Sequence, residues 1–422
     1  MRKQKNICIF ITVFIFLFEL IYLVPVQAKE LYAFTKESIP CYSDQYGSER
    51  AGSVPQYTGF KVEQKSGSYY LVTYDKKGKK RTGWITAQDF RDWGLQYDGS
   101  EIPIVASGVY LMGGQKVKVT FLGNEEYRIQ LEESGEYFSA QGTKRKASLS
   151  FNSREDEKSN IWIFRRSDYN LLIQNKETGL YLIPHGSVIR MTTFDQAKKY
   201  SWILTRQGNH VDPYRNFLQY DGRWGAKKYG NSTQMAKSAC GVLAIVNAAF
   251  ALNGQFIDPM DGAEYACDTG FRVEYNGTDE GYLKAFANNI GQRYGFQYAG
   301  KAETVYSIKK VLQQGAVVVA HVPGHYLCIA DYNEEKGKYL VLDSHPLPKR
   351  KTSPFGTWVS EKRLGSGSLS VASSFVYTRT EETRFTWNLK MQELEVIQDI
   401  AMNMSSDETK EIFDRLLKQE GK

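Results

Sequence analysis

The sequence predicts a multidomain protein with all-β modules in its N-terminal half, an α+β domain in its C-terminal half and a helical tail. The 422 residues are too many for one compact core. The 28 Tyr and 22 Phe residues favour strand-rich modules with aromatic packing. Helix-forming residues follow Ser238 and recur at helical spacing near the C-terminus.

Residues 1–28 are predicted to be a secretory signal peptide. Three cations precede an apolar run at residues 7–18, and the small-residue pattern Val26-Gln27-Ala28 follows it. An uncleaved anchor is the alternative, because residues 7–26 are about long enough to span a bilayer. Glu19 within the run favours cleavage, which predicts a secreted or extracellular protein without a membrane span after cleavage.

The charge of the chain is mildly basic. It falls from +7 to +5 when residues 1–28 are removed, because three cations and one anion leave with them. The basic runs at residues 76–81 and 349–351 are predicted to be solvated turns, and contact with an anionic envelope polymer is the second interpretation. The sequence contains no nucleic-acid-binding pattern and no G-x-x-x-x-G-K-[ST] loop. This argues against a nucleic-acid partner and excludes an evident ATPase segment.

Residues 29–97 are predicted to form a small β-barrel. Short strand-like segments alternate with Gly, Ser and charged turns, and they end in Tyr69 to Tyr74, the turn Asp75 to Arg81 and Gly83-Trp84-Ile85. This ending resembles the bacterial SH3-like family. The resemblance implies attachment to cell-wall material, and a structural spacer barrel is the alternative.

Residues 104–207 contain an internal repeat. Tyr137 and Tyr181 lie 44 residues apart, and each is followed by a tryptophan, Trp162 or Trp202; a degenerate copy opens the segment. The copies resemble a β-trefoil of the ricin-type lectin class, which implies glycan binding. Because the lectin Gln-x-x-Trp is absent, both tryptophans are predicted to pack the core rather than contact a ligand.

The segment after Ser238 is predicted to form a helix with Cys240 in its first turn. Ser238 can cap the start, the Ala- and Leu-rich interior favours helix, and Gly254 can end it in a left-handed turn. A helix N-terminus stabilises a thiolate, so Cys240 is the candidate nucleophile. Its backbone N–H and the Gln219 side chain are the candidate oxyanion donors. An inert buried cysteine is the alternative.

His325 and Asp343 are predicted to complete the site. Two strand-like segments flank a turn centred on Glu334, and symmetric pairing about that turn places His325 opposite Asp343. A one-residue slip would place the two side chains on opposite faces. His321 is a competing base, and His345 is a competing orienting group.

Several elements of this segment occur in a characteristic order: Gln219 with Asp221 and Trp224, Tyr229-Gly230, Ala239-Cys240-Gly241, Gly324-His325 and Asp343. Over residues 208–380 they resemble the peptidase C39-like family of papain-fold proteins. The resemblance implies an α+β papain-like cysteine peptidase domain. Its implied nucleophile is Cys240, its general base and acid is His325, its orienting carboxylate is Asp343 and its oxyanion donor is Gln219.

The implied partner is a peptide or protein substrate, with a cell-wall polymer or glycan as a further partner of the N-terminal modules. Better-known members of the family cut double-glycine leaders while fused to membrane transporters. This chain lacks a P-loop, so we expect a different substrate. Hydrolysis of cell-wall peptides or amides is the second functional hypothesis, and non-catalytic binding at the cell surface is the third.

Four cysteines follow the predicted signal peptide. Their spacing fits neither a disulfide framework nor a zinc site, so no metal and no cofactor are expected. Pairing among Cys41, Cys267 and Cys328 is left open.

Residues 381–422 are predicted to form a tail of two amphipathic helices. Apolar residues recur there at helical spacing, and Ser405 with Glu408 forms a capping box. Such helices are expected to pack on the parent domain.

Overall fold

The structure is a computed structural model that describes residues 31–380 apart from 78, 98–100, 143–146, 156, 186–187, 209–210 and 212–213. The predicted signal peptide and the predicted tail helices lie outside the described residues. The chain divides into two compact units, and the boundary falls between residues 99 and 100.

The first unit is an antiparallel sheet with one helix. Its elements are β1 (Leu31–Thr35), β2 (Ile39–Tyr42), β3 (Arg50–Val54), β4 (Gly59–Ser66), β5 (Tyr69–Lys76), β6 (Lys79–Thr86), α1 (Ala87–Trp93) and β7 (Gly94–Tyr97). The described strands lie in the order β3-β2-β6-β5-β4-β1-β7. Strand β5 buries Val72 and Tyr74 on one face, as period-2 alternation requires. The turn between β5 and β6 is shorter than predicted, because Lys76 already pairs with Lys79.

The second unit begins with the repeats. Their elements are β8 (Gly108–Met112), β9 (Gln115–Gly123), β10 (Glu126–Leu131), β11 (Tyr137–Gln141), β12 (Ser148–Asn152), β13 (Trp162–Ser167), β14 (Asn170–Asn175), β15 (Tyr181–His185), β16 (Val188–Thr192), α2 (Phe194–Ala197) and β17 (Leu204–Arg206). The described strands form one antiparallel sheet, in which β17 pairs with β8 and the β11–β12 hairpin branches from β10.

The two later repeat copies share one hydrogen-bonding pattern. Trp162 Nε1 donates to the carbonyl of Phe138 at 2.9 Å, and Trp202 Nε1 donates to the carbonyl of Leu182 at 2.9 Å. The two acceptors lie 44 residues apart, and both indoles are buried. The packing role predicted for these tryptophans is therefore confirmed. The boundaries predicted for residues 104–207 and 208–380 stay predictions.

The rest of the second unit carries most of the described helices. Its elements are β18 (Lys228–Tyr229), β19 (Thr233–Gln234), α3 (Met235–Ser238), α4 (Cys240–Asn253), α5 (Pro259–Asp268), β20 (Arg272–Val273), β21 (Gly277–Thr278), α6 (Glu280–Asn289), β22 (Phe296–Gly300), α7 (Val305–Gln313), β23 (Val317–Val322), β24 (His325–Asn333), β25 (Lys338–Leu342), β26 (Thr357–Ser360), α8 (Glu361–Leu364) and β27 (Ser373–Arg379).

Helix α4 packs on an antiparallel sheet with the strand order β22-β27-β23-β24-β25-β26. Every residue of α4 after Cys240 is buried, which is typical of a helix that is apolar on all sides and enclosed by neighbouring elements. Within the described part of the chain, no helix combines the length and the apolar character needed to cross a membrane.

The predicted fold class is wrong. Of the described residues, 42% lie in strands and 22% in helices, and the described sheets are antiparallel. The protein is therefore mostly β, not a chain that ends in an α+β papain-like domain. The papain-like assignment came from the resemblance, and local helix signals after Ser238 supported it. Strands β22, β26 and β27 went unrecognised because they pair over long sequence separations, which local patterns do not reveal.

The C-terminal end of α4 is buried against the repeats. Gly254 ends the helix with φ +69°, which confirms the predicted left-handed turn, and its carbonyl accepts from the backbone N–H of Ala106 at 2.7 Å. The Asn253 amide donates to the carbonyls of Leu204 and Tyr294, both at 2.7 Å. The helix is thus anchored at the end opposite Cys240.

Candidate active site

Cys240 is the first residue of α4 and is half-buried. The helix is preceded by Ala239, and no side chain caps its start. The predicted cap by Ser238 is wrong, because Ser238 ends the short helix α3 and bonds to the Thr233 hydroxyl and, at 3.5 Å, the Gln234 carbonyl. The positive end of α4 therefore faces the thiol without a competing side-chain cap.

The β20–β21 hairpin lies against the start of α4. A Cβ on Gly241 would lie 2.8 Å from the Cβ of Thr278, so only glycine allows this approach. The Thr278 hydroxyl is 2.8 Å from the Tyr229 hydroxyl, and Arg272 Nε donates to the Tyr229 carbonyl at 3.1 Å. These contacts fix the wall beside the thiol.

The surroundings of Cys240 favour its thiolate. Burial is the largest single influence and acts against the charged form. A hydrogen bond with His325, the charge of His325 and the backbone N–H groups of Tyr326 and Gly241 outweigh it, so the pKa of Cys240 lies below its ordinary value. A thiol in this state is a stronger nucleophile near neutral pH than an ordinary buried cysteine.

His325 begins β24 and is held by Asp343. Gly324, with φ +68°, closes the tight turn from β23. His325 Nε2 lies 2.8 Å from Asp343 Oδ1, and both side chains are buried. Because Nε2 faces the carboxylate, Nδ1 is the ring nitrogen left for exchange of a proton with Cys240.

The charge state of His325 follows from these neighbours. Burial favours the neutral ring, but the hydrogen bonds to Asp343 and Cys240 and their charges favour the imidazolium. Together they raise the pKa of His325 to about 8. The ring therefore carries a proton at neutral pH, beside a thiol whose pKa is lowered.

The register that brings His325 and Asp343 together differs from the predicted one. Strands β24 and β25 pair Cys328 with Leu342, and extension of that pairing places His325 opposite His345. The shift from the predicted register is two residues. Because side chains alternate with period 2, Asp343 keeps the same side as His325.

Asp343 makes more contacts than the sequence indicated. Its Oδ2 accepts from Arg350 Nε at 2.8 Å and from the Thr352 hydroxyl at 2.7 Å, and its Oδ1 also accepts from the backbone N–H of His345 at 2.9 Å. Burial opposes ionisation of this carboxyl, but the hydrogen bonds and charges of His325 and Arg350 hold its pKa well below the usual range.

The prediction that the basic run at residues 349–351 is a solvated turn is wrong for Arg350. Its two flanking lysines are exposed, but the Arg350 side chain is only 3% exposed and pairs with Asp343. The missed signal is the short distance along the chain between Asp343 and an arginine on a tight connection.

Gln219 is buried near the start of α3. Its Nε2 donates to the carbonyls of Met235 and Ala236, both at 3.3 Å, and its Oε1 accepts from Ser344 at 3.1 Å. The structure thus engages the amide in backbone contacts. An oxyanion could receive a hydrogen bond from Gln219 only if one of these contacts were exchanged.

Asn247 positions the Gln219 segment and was not identified from the sequence. From the middle of α4 its side chain accepts from the Phe217 N–H at 2.7 Å and donates to the Phe217 carbonyl at 3.2 Å. The loop is further held by Trp224 Nε1, which donates to the Leu218 carbonyl at 2.9 Å. A buried Asn in an apolar helix is the signal that could have revealed this contact.

The competing histidines take other positions. The His321 ring stacks on Tyr326 with centroids 4.6 Å apart. The His345 ring is 6.2 Å from the His325 ring and contacts the Tyr220 hydroxyl. His345 supports Asp343 through its backbone N–H rather than through its imidazole.

The other described cysteines differ in their exposure. Cys41 and Cys328 are buried, Cys267 is exposed, and all three are free thiols, as is Cys240. Burial raises the pKa of Cys328, which makes it unreactive. No group of three or more His, Cys, Asp or Glu side chains with metal-binding geometry occurs among the residues that the structure describes.

Comparison with known proteins identifies no family. No protein-family model matches the chain, and no curated protein matches it. Among solved structures, the chain is similar to a crystal structure of Polyporus squamosus lectin bound to a human-type influenza-binding epitope. The sequence identity is 8% and the TM-score 0.21, over 78% of this chain and 95% of that chain. A likeness of this size carries no argument about the fold or the ligand.

Proposed function

We propose that this chain is a secreted cysteine peptidase that hydrolyses peptide bonds at Cys240, as its resemblance to peptidase C39-like proteins implies. One observation carries the proposal: the Cys240 thiol lies half-buried at a helix N-terminus, where His325 lowers its pKa, and the His325 ring lies 2.8 Å from the buried carboxylate of Asp343. A structural cysteine needs neither partner. A nucleophile needs a base, and the base needs an orienting group.

The chemistry follows the ordinary thiol route. The Cys240 thiolate attacks the scissile carbonyl, and the imidazolium of His325 gives its proton to the leaving amine as the C–N bond breaks. Water then attacks the acyl-enzyme, His325 accepts its proton, and the carboxylic acid product leaves the regenerated thiolate. The Cys240 backbone N–H would be the first oxyanion donor. Gln219 would be the second after exchange of one carbonyl contact.

Secretion and attachment are further parts of the proposal. Export rests on the pattern of residues 1–28, and attachment to cell-wall polymer or glycan rests on the strand-rich modules before the site. Peptide or protein is the proposed substrate. Cell-wall peptides contain the same type of amide bond as proteins, so they are the second substrate class to be tested.

A thiol-reactive peptide electrophile tests the site directly. The secreted protein, Cys240→Ala and Cys267→Ala are treated at neutral pH, and the labelled residue is found by mass spectrometry. Cys267 is the matched control because it is an exposed free thiol. We expect labelling of wild type and Cys267→Ala at Cys240, and none at that position in Cys240→Ala. Equal labelling of all three forms would contradict the proposal.

The products released from two kinds of substrate identify the substrate class. Casein-like peptides and purified wall fragments are incubated with wild type and Cys240→Ala, and new amino termini are counted. Cleavage of casein-like peptides supports the peptidase. Release from wall fragments alone favours a wall-peptide hydrolase, and release from neither favours a non-catalytic binding protein.

A further inference from the structure

We propose that Arg350 is a positioning residue of this site, which aims the Asp343 carboxylate at His325 and offsets its charge. The inference rests on the proposed function and extends it to a residue outside the Cys240, His325 and Asp343 set. Arg350 touches no reacting atom and acts through Asp343.

Arg350 contacts both oxygens of the Asp343 carboxylate, Oδ2 through its Nε and Oδ1 through its Nη2 at 3.5 Å. Oδ1 faces His325 Nε2 at 2.8 Å, whereas Oδ2 accepts from Arg350 Nε at 2.8 Å and from Thr352 at 2.7 Å. Rotation of the carboxylate would break several of these contacts at once. The donors on Oδ2 therefore keep Oδ1 directed at the imidazole.

Arg350 is itself held in place. Its Nη2 donates to the carbonyl of His345, and its own backbone carbonyl accepts from Arg363 Nη2 at 2.6 Å. Asp343 is 0% exposed and Arg350 is 3% exposed, so solvent screens their attraction little. A planar guanidinium with donors at fixed angles suits this task better than a flexible ammonium group.

Charge gives Arg350 a second effect. The charged and titratable groups around His325 are Cys240 on α4, Asp343, His345 and Arg350 on the connection from β25 to β26, Tyr220 before α3, and Tyr326 on β24. An unpaired Asp343 would stabilise the imidazolium with a full negative charge. Arg350 offsets that charge, so it makes His325 less basic than Asp343 alone would.

Two substitutions separate the effects. Arg350→Gln keeps an N–H donor for Oδ2 but removes the charge, whereas Arg350→Lys keeps the charge but loses the planar set of donors. Lys349→Gln and Lys351→Gln are matched controls, because each removes a positive charge from the same run at an exposed position.

The first readout does not depend on activity. Carbon-13 labelling of the five histidines allows the His325 ring to be titrated by NMR in the full secreted chain. We expect the pKa of His325 to rise by about one unit in Arg350→Gln, because a nearby positive charge is lost. Both lysine controls should leave it unchanged.

The second readout is peptide hydrolysis. We expect Arg350→Lys to lower kcat by roughly tenfold with KM little changed, because a less directed carboxylate weakens the hold on His325 without altering substrate contacts. A wild-type kcat in Arg350→Lys, together with a wild-type His325 titration in Arg350→Gln, would overturn the proposal.

A second variant covers the case in which Arg350→Gln does not fold. Removal of Arg350 alone leaves a buried charge on Asp343 and is destabilising. If Arg350→Gln does not fold, Arg350→Lys keeps the positive charge beside Asp343, and a wild-type kcat in that variant alone would contradict the positioning role. Failure of the proposed function is a separate outcome: wild type itself would then show no selective labelling at Cys240, whatever Arg350 does.

Discussion

The two ends of α4 differ in what holds them. At the N-terminal end, Cys240 follows Ala239, and no side chain caps the helix. At the C-terminal end, Asn253 accepts from the Arg206 N–H at 2.6 Å and donates to two carbonyls, and Gln255 Nε2 donates to the Leu204 carbonyl at 2.6 Å. The N-terminal end leaves backbone N–H groups that can donate to a substrate, whereas the C-terminal end is fixed by buried hydrogen bonds.

The two ends of α4 therefore have different roles: the C-terminal end fixes the position of Cys240, and the N-terminal end sets its reactivity. A buried helix fixed at one end is rigid along its length, so the anchor near Asn253 can place Cys240 without contacting it. Reactivity is then set by partners at the other end, above all His325. Changes at the reactive end should affect rate more than stability, and changes at the anchor should do the reverse.

The largest effect is expected for His325→Ala. Hydrolysis should fall roughly 10²- to 10⁴-fold, because the general base and acid is lost. The pKa of Cys240 should also rise, since burial continues to oppose the thiolate without His325 to offset it. Peptide hydrolysis and the pH dependence of Cys240 alkylation measure the two effects. His321→Ala is the control, and a similar loss in that variant would contradict the assignment of His325.

Asn253→Ala should affect stability instead. The change removes the hydrogen bond of the part-buried Arg206 N–H and one hydrogen bond from each of two buried backbone carbonyls, so we expect the free energy of unfolding to fall by about 3 kcal/mol. Denaturant unfolding measures it, with the exposed Asn276→Ala as control. Labelling of Cys240 per folded molecule should change less than about twofold. A large loss of labelling in folded Asn253→Ala would show that the two ends are not separable.

The pH dependence should distinguish the proton donor from the nucleophile. The pKa of His325 is raised to about 8, so the imidazolium is present below that pH and is lost as the pH rises through it. Above pH 8, hydrolysis should fall by about tenfold per unit, because the leaving amine no longer receives a proton. Alkylation by a small neutral reagent needs only the thiolate and should not fall. A parallel decline of both rates would exclude this assignment of the acid.

Local signals in the sequence predicted much of α4. Its Ala- and Leu-rich interior and Gly254 gave the helix and its end, because both depend on neighbours within one or two turns. The fold class could not be obtained this way. Strand β27 follows β26 in the chain but lies between β22 and β23 in the sheet, and such pairing leaves no local pattern.

The contact between His325 and Asp343 shows where register reasoning stops. Near the turn, Tyr332 pairs with Tyr339, a register that would place Asp343 on the opposite side from His325. An irregularity between Ile329 and Asp331 shifts the pairing by one residue and restores the shared side. No feature of the apolar pattern marks that shift. The predicted centring on Glu334 led to the right pair through a register that the structure does not contain.

Ser238→Ala has the smallest expected effect, and it tests whether a side chain stabilises the N-terminal end of α4. An N-cap serine contributes about 1 kcal/mol to stability, but Ser238 does not cap α4, so its removal should lower the free energy of unfolding by less than about 0.5 kcal/mol. Thr304→Ala is the matched control, because Thr304 does cap α7 by accepting from the Ser307 N–H at 3.0 Å. We expect about 1 kcal/mol there. An equal or larger loss in Ser238→Ala, measured by denaturant unfolding, would mean that Ser238 stabilises the start of α4 after all and that the donors beside Cys240 are not left for an oxyanion.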